Sequence, residues 1–295
     1  MAFQRYLAEE VAIDHADGAL SRREALRRLA LLGLGVPAAS ALLAACGGGG
    51  GGEPAPATTG GAATPPGPAV ATQEVSFPGP EGRTIQGAWA PATQPRGAVL
   101  VIHENRGLND HIRSVAGRLA ASGYSALAID LLSAEGGTAA LGDESRAMAA
   151  LSSAPRERLV ADMRAGLGEL ERRASGHKLG AIGFCFGGGM VWLLLASGEP
   201  RLAAAAPFYG PLPDNADFSG SEAAVLGIYA EQDERVNASR EGATAALERA
   251  GLTHEIVTYP GANHAFFNDT GPRYHQDAAT QAYTKVLDWF GRHLG

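Results

Sequence analysis

Cys185 lies at the centre of Gly183-Phe184-Cys185-Phe186-Gly187, a potential nucleophile with a glycine two residues away on either side. Lys178-Leu179-Gly180-Ala181-Ile182 before it reads as a short buried strand, and Gly188 to Ala196 after it as a buried helix. A strand that turns sharply into a helix pushes the middle residue into a strained position, and glycines clear room around it. A cysteine there sits at a helix N-terminus, where the dipole favours the thiolate. Asp233 and His264 follow in chain order, in Glu231-Gln232-Asp233 and Gly261-Ala262-Asn263-His264. A histidine can take the thiol proton or stabilise the thiolate, and then protonate a leaving oxygen. An aspartate can hold the imidazole in the required tautomer and support its positive form. The chemistry these residue types could do together is acyl transfer. It also needs two backbone N–H donors for an oxyanion, expected from Phe186 and Asn105.

The elements that must position these residues can be read around them. Thr84 to Trp89 alternates and is expected as an edge strand. Gly97 to His103 is a continuous apolar run, as in a strand buried on both faces. Asp110 to Ser122 has helical apolar spacing, and Tyr124 to Asp130 is another buried strand. A helical pair is expected from Asp143 to Ala174. Strands are expected over Ala203 to Tyr209, Ala223 to Tyr229 and His254 to Tyr259, with helices over Glu241 to Ala250 and Tyr274 to His293. Alternating strands and helices predict an α/β fold, a mostly parallel central sheet with helices on both faces. In such sheets the site lies at the carboxyl ends of the strands. Those ends carry His103-Glu104-Asn105-Arg106-Gly107, Cys185, Asp233 and His264. The order nucleophile, acid, histidine is that of the α/β-hydrolase fold.

With these residues in place the sequence resembles the dienelactone hydrolase (carboxymethylenebutenolidase-like) family. The resemblance rests on His103 to Leu108, Gly183 to Gly188, Asp233, and Gly261-Ala262-Asn263-His264-Ala265-Phe266, and extends over nearly all of residues 73–295. It implies a cysteine-dependent hydrolase of ester or lactone bonds that works through a Cys185-His264-Asp233 triad and a thioester acyl-enzyme, with no cofactor. It also implies that Glu104 contacts the resting thiol until substrate shifts it; a plain ion pair of Glu104 with Arg106 is the competing reading. Arg106, Arg146 and Asn268 are the candidate substrate contacts. Here the sequence departs from the family pattern, in which an arginine four residues after the histidine binds a substrate carboxylate: this chain has Asn268. That departure weakens the expectation of an anionic dienelactone. The alternative function is a non-catalytic binding or scaffold lipoprotein that keeps the fold.

The N-terminal segment reads differently. Ser21-Arg22-Arg23-Glu24-Ala25-Leu26 resembles a bacterial twin-arginine export signal, and the apolar stretch Leu29 to Ala45 a signal-peptide core. Leu42-Leu43-Ala44-Ala45-Cys46 resembles a lipobox, which implies lipidation of Cys46 and a membrane anchor on the extracytoplasmic side, in the periplasm or at the cell surface. The expected organisation is therefore a signal peptide over 1–46, a disordered Gly/Pro/Ala/Thr linker over 47–72, and one hydrolase-like domain over 73–295. The expected partners are a small ester or lactone, the membrane and the export machinery. Of 295 residues, 24 are Lys or Arg and 31 Asp or Glu, a net charge of −7 that offers no footprint for nucleic acid. The spacing of His103, His111, His264 and His275 fits no helical ligand pair, so no metal is expected. Cys46 and Cys185 are the only cysteines, and their separate contexts argue against a disulfide.

Overall fold

The computed structural model describes residues 3–46 and 67–295. Most of the expected linker, residues 47–66, lies outside the described residues, as does the side chain of Cys46. Three helices come first: α1 (Phe3–Ala16), α2 (Arg22–Leu31) and α3 (Val36–Cys46). The strands that follow are β1 (Gln73–Pro78), β2 (Thr84–Ala90), β3 (Gly97–Ile102), β4 (Tyr124–Asp130), β5 (Leu179–Phe184), β6 (Leu202–Phe208), β7 (Ala224–Ala230) and β8 (His254–Tyr259). Between and after them lie α4 (Asp110–Ala121), α5 (Thr138–Leu141), α6 (Glu144–Ser153), α7 (Arg156–Arg173), α8 (Phe186–Ala196), α9 (Glu234–Asn237), α10 (Arg240–Arg249) and α11 (Gln276–His293).

The strands form one eight-stranded sheet in the order β1-β2-β4-β3-β5-β6-β7-β8. β3 to β8 run parallel, and at one side β2 pairs antiparallel with β4 and β1 antiparallel with β2. The apolar runs of β3, β4, β5 and β7 are buried at every position, as strands covered on both faces must be. α7 and α8 pack together over β3 and β5, while α4 and α11 meet through a Ser122–Tyr283 hydroxyl bond of 3.0 Å. This is the expected α/β-hydrolase architecture.

One expectation needs correction. β2 is not the edge, because β1 pairs along its whole length. β1 escapes sequence reading because only Phe77 of its six residues is buried, so its alternation carries little apolar signal.

The segment expected as an export signal packs onto the domain. Tyr6, Leu7 and Val11 of α1, Leu29 of α2 and Leu43 of α3 are all buried. Arg27 of α2 bonds Asp143 at 2.8 Å and Ser145 at 2.8 Å at the start of α6. Arg22 and Arg23 are exposed on the same helix. Among the described residues no helix is long and apolar enough to cross a membrane. The last residues of the expected linker run along α4, where the Val70 N–H donates to the Gly117 carbonyl at 3.2 Å.

Candidate active site

Cys185 is the single residue between β5 and α8, and it takes φ 55°, ψ −117°. Left-handed backbone at a non-glycine residue costs on the order of 1–3 kcal/mol and is kept only where the surroundings enforce it. They do so by close approach. A Cβ on Gly183 would lie 2.2 Å from the Gly187 carbonyl oxygen, and a Cβ on Gly187 would lie 2.3 Å from that of Ile102. Neither position has room for a side chain. Tyr209 (φ 33°) and Ala265 (φ 62°) share the positive-φ backbone, so three of the five such non-glycine residues described sit at strand ends around one place.

The turn after β8 brings His264 into that place. Its Nδ1 lies 2.5 Å from Asp233 Oδ2. Asp233 caps α9, its Oδ1 accepting the Val236 N–H at 3.2 Å, so the carboxylate is fixed from both sides. The Tyr209 ring packs edge-on against the imidazole, with centroids 5.1 Å apart. His264 Nε2 is buried and has no hydrogen-bond partner. A ligating nitrogen of His264, Cys185 Sγ and a Glu10 carboxylate oxygen all lie within 4.8 Å of one another.

Glu10 and Tyr6 come from α1. Tyr6 Oη is 3.3 Å from Cys185 Sγ, and Glu10 Oε2 is 3.5 Å from His264 Nε2. Arg235 ion-pairs with Glu10, donates to the Tyr6 carbonyl at 2.8 Å and lies 4.1 Å above the Tyr6 ring. Arg273 reaches Glu10 at 3.6 Å, Asp14 at 2.8 Å and Asp17 at 2.8 Å. Burial pushes the Glu10 carboxyl up, but His264, Arg235 and Arg273 outweigh it and hold it down at about 2. Burial pushes the His264 imidazole down, and the Glu10 and Asp233 carboxylates overcome that and raise it well above the usual histidine range. His264 thus has a carboxylate on either side, and both favour its protonated form. Glu10, Cys185 and His264 offer three donor atoms for a metal, but a metal there would have to displace Arg235 from Glu10 and a proton from His264.

Beside Cys185 is a cavity of about 40 Å³, lined among others by Glu10, Glu104, Asn105, Arg106, Asn268 and Arg273. Glu104 Oε2 accepts from Asn268 Nδ2 at 2.7 Å, while its Oε1 is buried without a partner. Asn268 is itself held by Thr270, through the backbone N–H at 3.0 Å and the hydroxyl at 2.7 Å.

Residues 85–294 match the sequence pattern of the "Dienelactone hydrolase family". The chain belongs to the dienelactone hydrolase family. Relatives named "putative carboxymethylenebutenolidase" include one from Salmonella typhi, 33% identical over 67% of this chain and 77% of its own. Another, from Escherichia coli K12, is 32% identical over 68% and 79%. The crystal structure of a "putative dienelactone hydrolase" from Klebsiella pneumoniae superposes with a TM-score of 0.66 at 30% identity, over 75% of this chain and 98% of its own. Membership makes the protein a hydrolase of the ester and lactone class.

Within this dienelactone hydrolase-family fold the residues named from sequence do not all converge. Cys185, His264 and Asp233 are brought together, with Glu104, Asn105, Arg106 and Asn268 on the adjoining cavity. Phe186 supplies the first backbone N–H of α8, and its ring stacks on His103. Arg146 is exposed on α6 and is not among the residues lining the cavity. Arg106 pairs with Glu144 at 3.4 Å, so the Glu104–Arg106 pair is not formed and Asn268 takes that place. His103 is structural: Nδ1–H donates to the Glu104 carbonyl at 2.6 Å and Nε2 accepts the Leu131 N–H at 3.1 Å. His111 bonds Asp269 at 2.6 Å. Sequence reading missed Arg235, Arg273, Tyr6 and Glu10. Arg235 lies two residues from Asp233 and was within reach of it; α1 gave no such signal.

Proposed function

We propose that the protein hydrolyses carboxylic esters or lactones through a Cys185-His264-Asp233 triad and a thioester intermediate. The observation that carries this reading is the His264 imidazole, held by Asp233 on Nδ1 and with a ring nitrogen within 4.8 Å of Cys185 Sγ. The Cys185 thiolate attacks the substrate carbonyl, and the oxyanion is received by the Phe186 and Asn105 backbone N–H groups. As the tetrahedral species collapses, the C–O bond breaks and the His264 imidazolium gives its proton to the departing oxygen. Water then attacks the thioester with His264 as base, and the acid product leaves as the Cys185 thiolate re-forms with the imidazolium. Glu104, held by Asn268, lines the same cavity as the thiol, while the contact on Cys185 Sγ here is Tyr6 Oη and not the expected Glu104.

The second part of the proposal concerns place. The Arg22-Arg23 pair directs export, and Cys46 becomes the lipid-bearing N-terminus on the extracytoplasmic side of a bacterial membrane. The exposure of Arg22 and Arg23 on α2 supports this.

The test of the chemistry is hydrolysis of p-nitrophenyl acetate by the full chain and by Glu10→Lys, which removes the carboxylate lodged against His264. Turnover that ends with Cys185→Ala, together with a trapped acyl adduct on the Cys185 peptide, is the expected result. Turnover that survives Cys185→Ala rejects the triad. For the anchor, Cys46→Ala is expected to move the protein from the membrane to the soluble fraction.

A further inference from the structure

The buried face of α1 carries groups that a leader helix has no need to bury. Tyr6 Oη touches the Cys185 thiol, and Glu10 sits against His264 between the Arg235 and Arg273 guanidinium groups. An unpaired carboxylate does not enter a protein interior; it is carried there by cations already in place. Without α1, Arg235 and Arg273 are two guanidinium groups beside the thiol and the imidazole, with the geometry that favours a carboxylate. With α1 docked, the cavity that touches Cys185, about 40 Å³, holds a few waters, and the larger one on the far side of His264 is not lined by Cys185. Ligand pockets are typically about 300–1,000 Å³. No ester of ordinary size reaches Cys185 in this arrangement.

We propose that α1 is an internal inhibitory segment: its Glu10 carboxylate occupies an anion subsite made by Arg235 and Arg273, and substrate enters only when α1 leaves. This rests on the reading of Cys185 as nucleophile and goes beyond it by saying what keeps the site silent: the place a substrate carboxylate takes in the family pattern is filled here by Glu10 of the same chain. The position after His264 that lacks an arginine, Asn268, is then not the whole of the anion question, because Arg235 and Arg273 approach from other loops. If the chain is cut before Cys46 as proposed, α1 departs with the leader, and the enzyme becomes active where it is anchored.

The experiment uses the full chain and two variants that undock α1 by different means. Glu10→Lys sets a cation against Arg235 and Arg273, and Leu7→Asp places a charge at a buried position of the same helix. The reaction of iodoacetamide with Cys185 is followed by mass spectrometry on the Cys185 peptide, so that Cys46 does not interfere. Undocking is read separately by hydrogen exchange over residues 3–16. The expected result is loss of protection in α1 and an increase of about tenfold or more in the alkylation rate, since apparent reactivity scales with the open fraction. A synthetic peptide of residues 3–17 should slow the reaction again, and its Glu10→Lys form should not. An undocked α1 with Cys185 reacting at the parental rate overturns the proposal. So does an α1 that stays protected in Glu10→Lys, or fast alkylation that the peptide fails to reverse.

Alkylation reads access and not turnover, so an accessible Cys185 in a chain that hydrolyses nothing would reject the proposed function and leave the inhibitory segment standing. The subsite is read in Leu7→Asp by comparing the 4-nitrophenyl monoester of glutaric acid with p-nitrophenyl acetate. Charge-assisted pairing predicts a preference of about tenfold in kcat/KM for the anionic ester, lost in Arg273→Gln. Equal kcat/KM for the two esters in Leu7→Asp removes the carboxylate assignment.

Discussion

Two regions of the chain meet at Cys185, and they are built on opposite principles. The strand-end loops hold Cys185, Asp233 and His264 by backbone: a left-handed turn with no room for side chains at Gly183 and Gly187, and a helix cap on Asp233. The α1 helix is held by side chains alone: apolar Tyr6, Leu7 and Val11, and the charges of Glu10 and Asp14 against Arg235 and Arg273. Backbone geometry that the whole sheet enforces cannot be exchanged. An ion pair can be replaced by any ligand that brings the same charge. The first region is therefore suited to chemistry that must be fixed, and the second to a contact that must come apart.

That contrast can be broken by experiment, beginning with the largest effect. In chains opened by Glu10→Lys, Cys185→Ala is expected to lower ester turnover by about a thousandfold or more, as loss of a nucleophile does. Residual turnover near the parent would mean that the strand-end loops are not the reacting region. Gly187→Ala drives a Cβ into the Ile102 carbonyl and is expected to destabilise the domain by about 3 kcal/mol. Calorimetry should then show a Tm lower by roughly 6–12 °C. Glu10→Ala should leave the domain transition nearly in place and release α1.

The docking of α1 should also respond to pH, through Glu10 and Asp14 of the helix and through His264 of the loops. Docked Glu10 titrates at about 2, below its ordinary value of 4.5, so its contribution to docking is complete above 4.5 and disappears as pH falls toward 2. His264, raised by Glu10 and Asp233 against its burial, contributes fully below 6.5 and loses its contribution as pH rises through its raised value. Asp14 opposes the acid limb: burial and Glu10 raise its pKa, against Arg273 and Arg106. Anisotropy of a dye on the N-terminal amine should therefore fall as pH drops from 4.5 to 2, before the far-UV circular dichroism of the domain changes. Coincident transitions would deny α1 its separate footing.

Two smaller effects sharpen the comparison. Asn268→Ala leaves both Glu104 carboxylate oxygens without a partner, a cost of about 1–3 kcal/mol that thermal unfolding would register. Tyr6→Phe deletes one hydroxyl contact to Cys185, worth about 0.5–1.5 kcal/mol, and should raise the alkylation rate only a few-fold.

The same contrast explains what could be read from sequence. Strand ends announce themselves because buried runs such as Val99 to Ile102 and Ala126 to Ile129 must be apolar on both faces, and the polar residues that follow them stand out. Gly183 and Gly187 are visible because only glycine fits there. The α1 helix buries Glu10 and Asp14 alongside Tyr6 and Val11, so its inward face carries charges that a pattern reader assigns to solvent. Its partners Arg235 and Arg273 are also far away in the chain. Arg146, named from sequence as a candidate substrate contact, lies exposed on α6 and does not line the cavity beside Cys185. No local spacing encodes an ion pair between residues 10 and 235.

The Glu10 clamp has a thermodynamic corollary. Coupling between two binding events is reciprocal, so a ligand that loosens α1 by some factor binds tighter by that same factor once α1 is held away. If a partner's grip on the exposed arginines of α2 loosens α1, that partner and a carboxylate at Arg235 and Arg273 are effectors of one another, although they touch different helices. Whatever takes hold of Arg22 and Arg23 would, to that extent, make the enzyme more sensitive to its own anionic ligands.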